Sequence, residues 1–431
     1  MDYKELYKRK LVSVEEVLSK IGSGDEIVSA MAASEPQGIL SKLHTIKDRV
    51  NDVTVVVCLP MKDYDFFMDP SMKGHFLTES WFYTAGLREA HKHGTVSFIP
   101  NHLHLASTKR LHYRKPRFFL GTATPMDKHG YLSLSLGITY EKDILENADY
   151  VVLEINENLP RTYGDTQIHI SEVDFVVENH APVPEIPIVE PNEKDKIIGN
   201  YIAELVEDGS TIQLGIGGIP NAVAKALLNK KDLGIHTEMF TEGMVDLFEA
   251  GVITNKKKTL WKGKSIATFA LGTKKLYDFI DDNMGVEFQR GAVVNDPYVI
   301  GQNYKMVSIN TALQVDLTGQ VCSESLGIRQ FSGTGGQADT AVGAQISKGG
   351  KSIIALYSSV KNDTISTIVP VLTEGAAVTL SRNDVDYIVT EYGIAEMRGR
   401  SIRDRVRNLI NIAHPKFRDE LKEKAKELMI W

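Results

Sequence analysis

The chain has 431 residues, 42% hydrophobic and 24% charged, a globular balance that excludes disordered and collagen-like chains and leaves room for two to four domains. Its 49 Lys and Arg stand against 56 Asp and Glu, a formal charge of −7, which argues against a protein that coats nucleic acid or an anionic membrane. Two cysteines, Cys58 and Cys322, are too few for a disulfide scaffold or a thiolate zinc site and fit a reducing compartment.

The first residues are charged and read as an amphipathic helix rather than a signal peptide. No run reaches the roughly 18 apolar residues of a membrane span, so a cytoplasmic protein is expected. Short apolar runs predict strands at Val53–Pro60, Val96–Pro100, Phe118–Thr124, Tyr150–Ile155, Ile212–Gly217, Ile266–Leu271, Met306–Leu313, Ser352–Ser358 and Tyr387–Tyr392. Between them, helical spacing predicts helices such as Asn221–Asn229, Gly243–Ala250 and Lys274–Asp282. Continuous rather than alternating apolar runs, separated by helices, imply an α/β protein with parallel sheets covered on both faces. Functional residues are then sought at the carboxyl ends of strands.

The stretch Val176–Lys196 holds Pro182, Pro184, Pro187 and Pro191, a density that stops helix and sheet alike. It predicts one domain over 1–185 and another over 190–431. The two parts echo each other. Gly24–Leu43 resembles Gly209–Leu227, Arg117–Pro125 resembles Ser352–Val360, and Ala148–Ile155 resembles Val385–Tyr392. Three echoes in the same order suggest two copies of one α/β unit.

The sharpest local signal is Gly215-Ile216-Gly217-Gly218-Ile219, after a strand and before a helix. Glycines let the backbone approach a ligand closely, and the free N–H groups of the helix that follows attract a phosphate. An ordinary tight strand–helix turn has the same composition. A dinucleotide fingerprint is a further reading, although Pro220 stands where its third glycine belongs; Glu238 lies where such a fold keeps its ribose ligand. Glu238 follows a short apolar run and precedes a helix, which aims its carboxylate at the crevice, while Glu242 competes as an acid at the same helix entrance. In a second cluster, Gly333, Gly335 and Gly336 offer either an anion nest with oxyanion-hole donors or a flexible surface loop. Lys361, past a strand end, either meets an anionic ligand or is solvated. The pairs His91/His93 and His102/His104 have no third partner at metal-ligand spacing. A serine-hydrolase elbow and a P-loop are both absent.

Together these segments carry a resemblance. Gly215–Val223, His236–Met239, Phe269–Phe279, Ser325–Asp339, Ser381–Gly399 and Asn411–Leu421, with Asn158–Asp165 and Ile168–Phe175 in the first half, resemble the acetyl-CoA hydrolase/transferase family. The likeness is to its 4-hydroxybutyrate and butyryl-CoA:acetate CoA-transferase groups. The resemblance implies two similar CoA-transferase domains, each an open, mostly parallel sheet flanked by helices, with the second carrying the catalytic residue. It implies transfer of CoA between a short-chain acyl-CoA and a free carboxylate through a covalent glutamyl-CoA thioester, with ping-pong kinetics. By position, Glu238 matches the attacking glutamate, while Gly215, Ile216, Gly217, Gly218, Ile219, Gly336 and Lys361 match CoA contacts. No metal or redox cofactor is implied; coenzyme A is a substrate, and a homo-oligomer is expected. The acyl group stays open among acetate, propionate, butyrate, crotonate and 4-hydroxybutyrate. An acyl-CoA hydrolase on the same site, a nicotinamide oxidoreductase and a non-catalytic CoA sensor are the alternatives.

Overall fold

The computed structural model describes residues 2–431. Seven strands form the first sheet: β1 (Glu26–Ser29), β2 (Val53–Val57), β3 (Phe76–Ser80), β4 (Val96–Phe98), β5 (Phe118–Ala123), β6 (Tyr150–Ile155) and β7 (Phe175–Glu178). Their order is β7-β6-β5-β1-β2-β3-β4, parallel at every junction. All six residues of β5 are buried, as expected for an apolar run in a sheet covered on both faces. Ile27, Val55, Leu120 and Val152 pack there with Tyr64, Phe66 and Phe67.

A second sheet is built from β8 (Thr211–Leu214), β9 (Gly234–Ile235), β10 (Met306–Thr311), β11 (Lys351–Ala355), β12 (Tyr387–Thr390) and β13 (Gly393–Glu396). The order is β9-β8-β10-β11-β12-β13, parallel except for the closing β12–β13 hairpin. Helices α1 (Glu193–Leu205), α2 (Gly218–Ala226), α3 (Glu242–Glu249), α4 (Gln337–Ile346) and α5 (Ile402–Ile412) alternate with these strands. Ala341 of α4 and Val406 and Leu409 of α5 share a core with Ile354 and Ile388 of the sheet. From β8 the chain goes to β9 on one side, and β10 lies on the other. That reversal opens a crevice at the carboxyl ends of the strands.

The chain divides into two compact units, one ending at Ile186 but also containing Ile266–Val294, the other Pro187–Ser265 with Asn295–Trp431. The proline-rich stretch does mark a crossing. Whereas the expected division runs along the chain as 1–185 and 190–431, the compact units place residues 266–294 with the first. The strand Val286–Phe288 pairs in parallel with Tyr163–Gly164, Glu287 opposite Tyr163 and Phe288 opposite Gly164. Two-residue pairings of this kind leave no periodic trace in a sequence.

The echoes are also corrected in part. β1 and β8, from Gly24–Leu43 and Gly209–Leu227, hold equivalent places, each where its sheet reverses order. Counting outward, β5, β6 and β7 correspond to β10, β11 and β12. The other two echoes instead pair β5 with β11 and β6 with β12, one strand out of step. Any interior strand of a covered sheet has the same composition, so the likeness was generic. No helix among the described residues is long and apolar enough to cross a membrane.

Candidate active site

β8 is buried along its length and ends at the glycine turn. Gly217 has φ +116° and ψ −176° with open space where a Cβ would point, a conformation for which glycine is the ready choice. α2 begins at Gly218, and its N-cap, Gly217, has no side chain to cap it. Ile216 is exposed and Ile219 buried. The turn therefore presents uncapped helix N–H groups, the property that suits it to an anionic ligand.

On the neighbouring strand, the end of β9 is clamped. The Ile235 N–H donates to Asn255 Oδ1 at 2.9 Å, and the buried Lys258 ammonium donates to the Ile235 carbonyl at 2.7 Å. Thr237 Oγ1 donates to the Met239 carbonyl at 3.1 Å. Between these fixed points stands Glu238, partly exposed at the carboxyl end of the sheet. Its Oε2 accepts a 3.0 Å hydrogen bond from Asn295 Nδ2, and the Gly336 N–H donates to the same carboxylate. Burial pushes the carboxyl up to about 7, and the nearby Asp339 charge adds to the rise, against the two hydrogen bonds that favour the ionised form.

Gly336 is the N-cap of α4, with φ −97°, an angle open to any residue. Backbone freedom does not explain this glycine; space does. A Cβ here would stand 2.0 Å from Glu238 Oε2 and 2.2 Å from Asn295 Nδ2. The second glycine cluster thus packs directly on the Glu238 carboxylate. Glu242 is placed differently, at the first residue of α3, where a carboxylate meets the positive end of a helix dipole.

Lys361 starts a left-handed turn with Asn362 and Asp363, between the short paired strands Ser359–Val360 and Ile365–Ser366. Its side chain is exposed, and no hydrogen bond or ion pair ties it to Glu238 among the described residues. The structure brings Glu238 and Gly336 into contact, sets the glycine turn at the end of the adjacent strand, and leaves Lys361 on a separate hairpin. His102 and His104 stack on each other at 6.2 Å between ring centres.

Two residues of this constellation escaped the sequence reading. Asn295, fully buried, has its Oδ1 unpartnered among the described residues while its amide nitrogen serves Glu238. Asp339, also buried, acts through its charge. Asn295 lies 57 residues from Glu238 in the chain, and no spacing rule links them. The only available signal was polar residues beside an apolar run in Gly291-Ala-Val-Val-Asn295-Asp296.

Comparison with known proteins gives a consistent pattern. Residues 1–190 match the acetyl-CoA hydrolase/transferase N-terminal domain, and residues 272–425 match the C-terminal domain of the same name. The chain is 45% identical over 428 residues to the 4-hydroxybutyrate coenzyme A transferase of Clostridium kluyveri, covering 99% of this chain and 100% of that one. It is 44% identical over 431 residues to the succinyl-CoA:cyclohexane-1-carboxylate CoA transferase of Geobacter metallireducens, covering 99% and 97%. The crystal structure of RipA from Yersinia pestis superposes with a TM-score of 0.95 at 38% identity, covering 100% of each chain.

Proposed function

Because this chain belongs to the acetyl-CoA hydrolase/transferase family and is a CoA-transferase acting on short-chain acyl-CoA, we propose that Glu238 carries CoA between donor and acceptor as a covalent glutamyl thioester. The observation behind this reading is the convergence of the Asn295 amide and the Gly336 N–H on one partly exposed carboxylate. The nicotinamide reading of the glycine turn has no counterpart among these relatives.

In the proposed sequence, a Glu238 carboxylate oxygen attacks the acyl-CoA carbonyl carbon, the C–S bond breaks, and CoA leaves as thiolate. The product is a mixed anhydride. The thiolate then attacks the Glu238 carbonyl carbon, forming glutamyl-CoA and releasing the first carboxylate. An acceptor carboxylate attacks that thioester, and the thiolate returns to the acyl carbon of the second anhydride. Glu238 is regenerated, and no net proton is needed.

In the steps where the glutamyl carbon is attacked, negative charge develops on an oxygen of Glu238 itself. The donors already aimed at that carboxylate would stabilise the charge without reorganising. Partial desolvation leaves the ionised form poorly solvated and so more reactive, while a carboxyl near 7 keeps a substantial ionised fraction at neutral pH.

Borohydride reduces a thioester but not a free carboxylate. Enzyme incubated with acyl-CoA, without acceptor, and then reduced should lose activity, and the peptide containing Glu238 should carry a glutamate-to-alcohol change. Initial rates should follow a ping-pong pattern. Full activity after the combined treatment, or the change on Glu242, would overturn the assignment. Thioester hydrolysis that exceeds acceptor-dependent exchange would favour a hydrolase instead.

A further inference from the structure

The first turn of α1 reaches both segments assigned to coenzyme A. Asn192 and Asp195 cap the helix reciprocally, the Asp195 N–H donating to Asn192 Oδ1 and the Asn192 N–H donating to Asp195 Oδ2, both at 2.9 Å. A helix cap requires nothing more, yet the Asp195 carboxylate, buried, is engaged twice again. Its Oδ1 accepts a 2.6 Å hydrogen bond from the Tyr357 hydroxyl, which in turn accepts from Asn192 Nδ2 at 3.0 Å. Its Oδ2 occupies the space beside Gly218, where a Cβ would stand 2.3 Å away. A carboxylate thus lies against the first residue of α2, at the positive end of a helix whose own N-cap is a glycine.

The other segment is reached from the same turn. Lys194 pairs with Asp363 at 2.9 Å and with Glu391 at 3.3 Å. Asp363 closes the left-handed turn that Lys361 begins, and Tyr357 leads into its hairpin. Asp195 therefore touches the glycine turn through Gly218 and the lysine hairpin through Tyr357, with Lys194 fastening the far side of that hairpin. Two recognition segments that grip one ligand bind it best when their separation is fixed beforehand.

We propose that Asp195 is a positioning residue for the coenzyme A end of the substrate, holding the glycine turn and the Lys361 hairpin in register through Gly218 and Tyr357. This rests on the assignment of those two segments to coenzyme A. Uncapped helix N–H groups and a lysine are donors for phosphate, so the device acts on the nucleotide end of the thioester rather than on the acyl carbon.

The test compares kcat/KM for acetyl-CoA with that for acetyl-pantetheine, which keeps the thioester and lacks the nucleotide, in wild type, Asp195→Asn and Tyr357→Phe. Asp195→Asn should lower the value for acetyl-CoA about tenfold with little change for acetyl-pantetheine, and Tyr357→Phe should act in the same direction but less. An equal fall with both thioesters, or no fall with either, overturns the proposal. Tyr357→Phe keeps it open to refutation should Asp195→Asn fail to fold. Titration of coenzyme A into wild type and Lys361→Ala examines the underlying assignment separately. Undiminished binding in Lys361→Ala removes the assignment and the proposal with it, whereas weakened binding there beside an unaffected Asp195→Asn overturns the proposal alone.

Discussion

Each unit carries an acid, a few residues beyond a strand at the sheet's carboxyl edge, whose carboxyl burial pushes up to about 7: Glu35 after β1 and Glu238 after β9. Their surroundings differ. Glu35 is 3% exposed, with one oxygen accepting from Gln37 Nε2 at 2.9 Å and the other from the Met61 N–H at 3.1 Å. Both of its oxygens are spoken for by its own unit. Glu238 is partly exposed, and its carboxylate meets a preorganised pair of donors, the Asn295 amide and the Gly336 N–H. The turns after the first strands contrast in the same way. Ala32–Ser34 is a buried, side-chain-filled turn, whereas Gly215–Gly217 leaves backbone and Ile216 open. What separates Glu238 from Glu35 is therefore access together with waiting donors, and not the raised carboxyl value.

Substituting the two acids should break the symmetry between them. Glu238→Gln keeps the shape and removes the proposed nucleophile, so transfer should fall on the order of 10⁴-fold or more while coenzyme A binding by calorimetry persists. Next in size, Asn295→Ala removes one of the two donors and should lower kcat by about 10²-fold; a change below threefold in steady-state rates would separate Asn295 from the reacting oxygen.

Asp339→Asn sharpens the comparison through pH. In wild type, kcat/KM for acyl-CoA should rise with pH and level off above about 7, because in the proposed mechanism Glu238 attacks as the carboxylate. Removing the Asp339 charge removes a cause of the elevation, so the inflection should move to lower pH. An unmoved or upward inflection would contradict that electrostatic role. The smallest effect belongs to Glu35→Gln. The amide turns one acceptor into a donor facing a donor, costing about 1–2 kcal/mol of stability by denaturant unfolding, while the borohydride-trapped species should still form. The stability of this variant should also fall less between pH 5 and 7 than that of wild type. A carboxyl raised in the folded state binds extra protons there, and that contribution is lost as pH climbs through the folded value.

Much of the architecture was legible because parallel, doubly covered strands announce themselves as apolar runs. β2, β4, β5, β6, β10 and β12 lie within expected segments, β8 and β11 begin one residue before theirs, and α2 and α3 overlap the expected helices. β7 falls at the start of the stretch expected as a linker, because its valines run within a few residues into the prolines from Pro182 onward. At the site, Glu238 and the glycine turn were visible because their signals are local: a strand, a break, a helix. Asn295 and Asp339 were not, because their relation to Glu238 is made by the sheet order and not by the chain. The reason for Gly336 was likewise hidden. Its angle is ordinary, and only the carboxylate beside it explains the missing side chain.

The excursion of residues 266–294 has a consequence for how the protein is made. The chain leaves the second unit after Ser265 and re-enters it at Asn295, the residue whose amide holds Glu238. On the ribosome, the first unit is therefore incomplete when residue 186 emerges, because the strand Val286–Phe288 that pairs with Tyr163–Gly164 follows a stretch of its neighbour. Residues 187–265 spend that interval as an unfinished sheet, with β8 and β9 formed in sequence but β10 not yet synthesised. Pairings that must wait for distant chain are the slow, aggregation-exposed steps of folding. Cutting the gene at the proline-rich stretch would strand residues 266–294 of the first unit on the piece that holds all of the second, so the N-terminal piece alone should fold poorly.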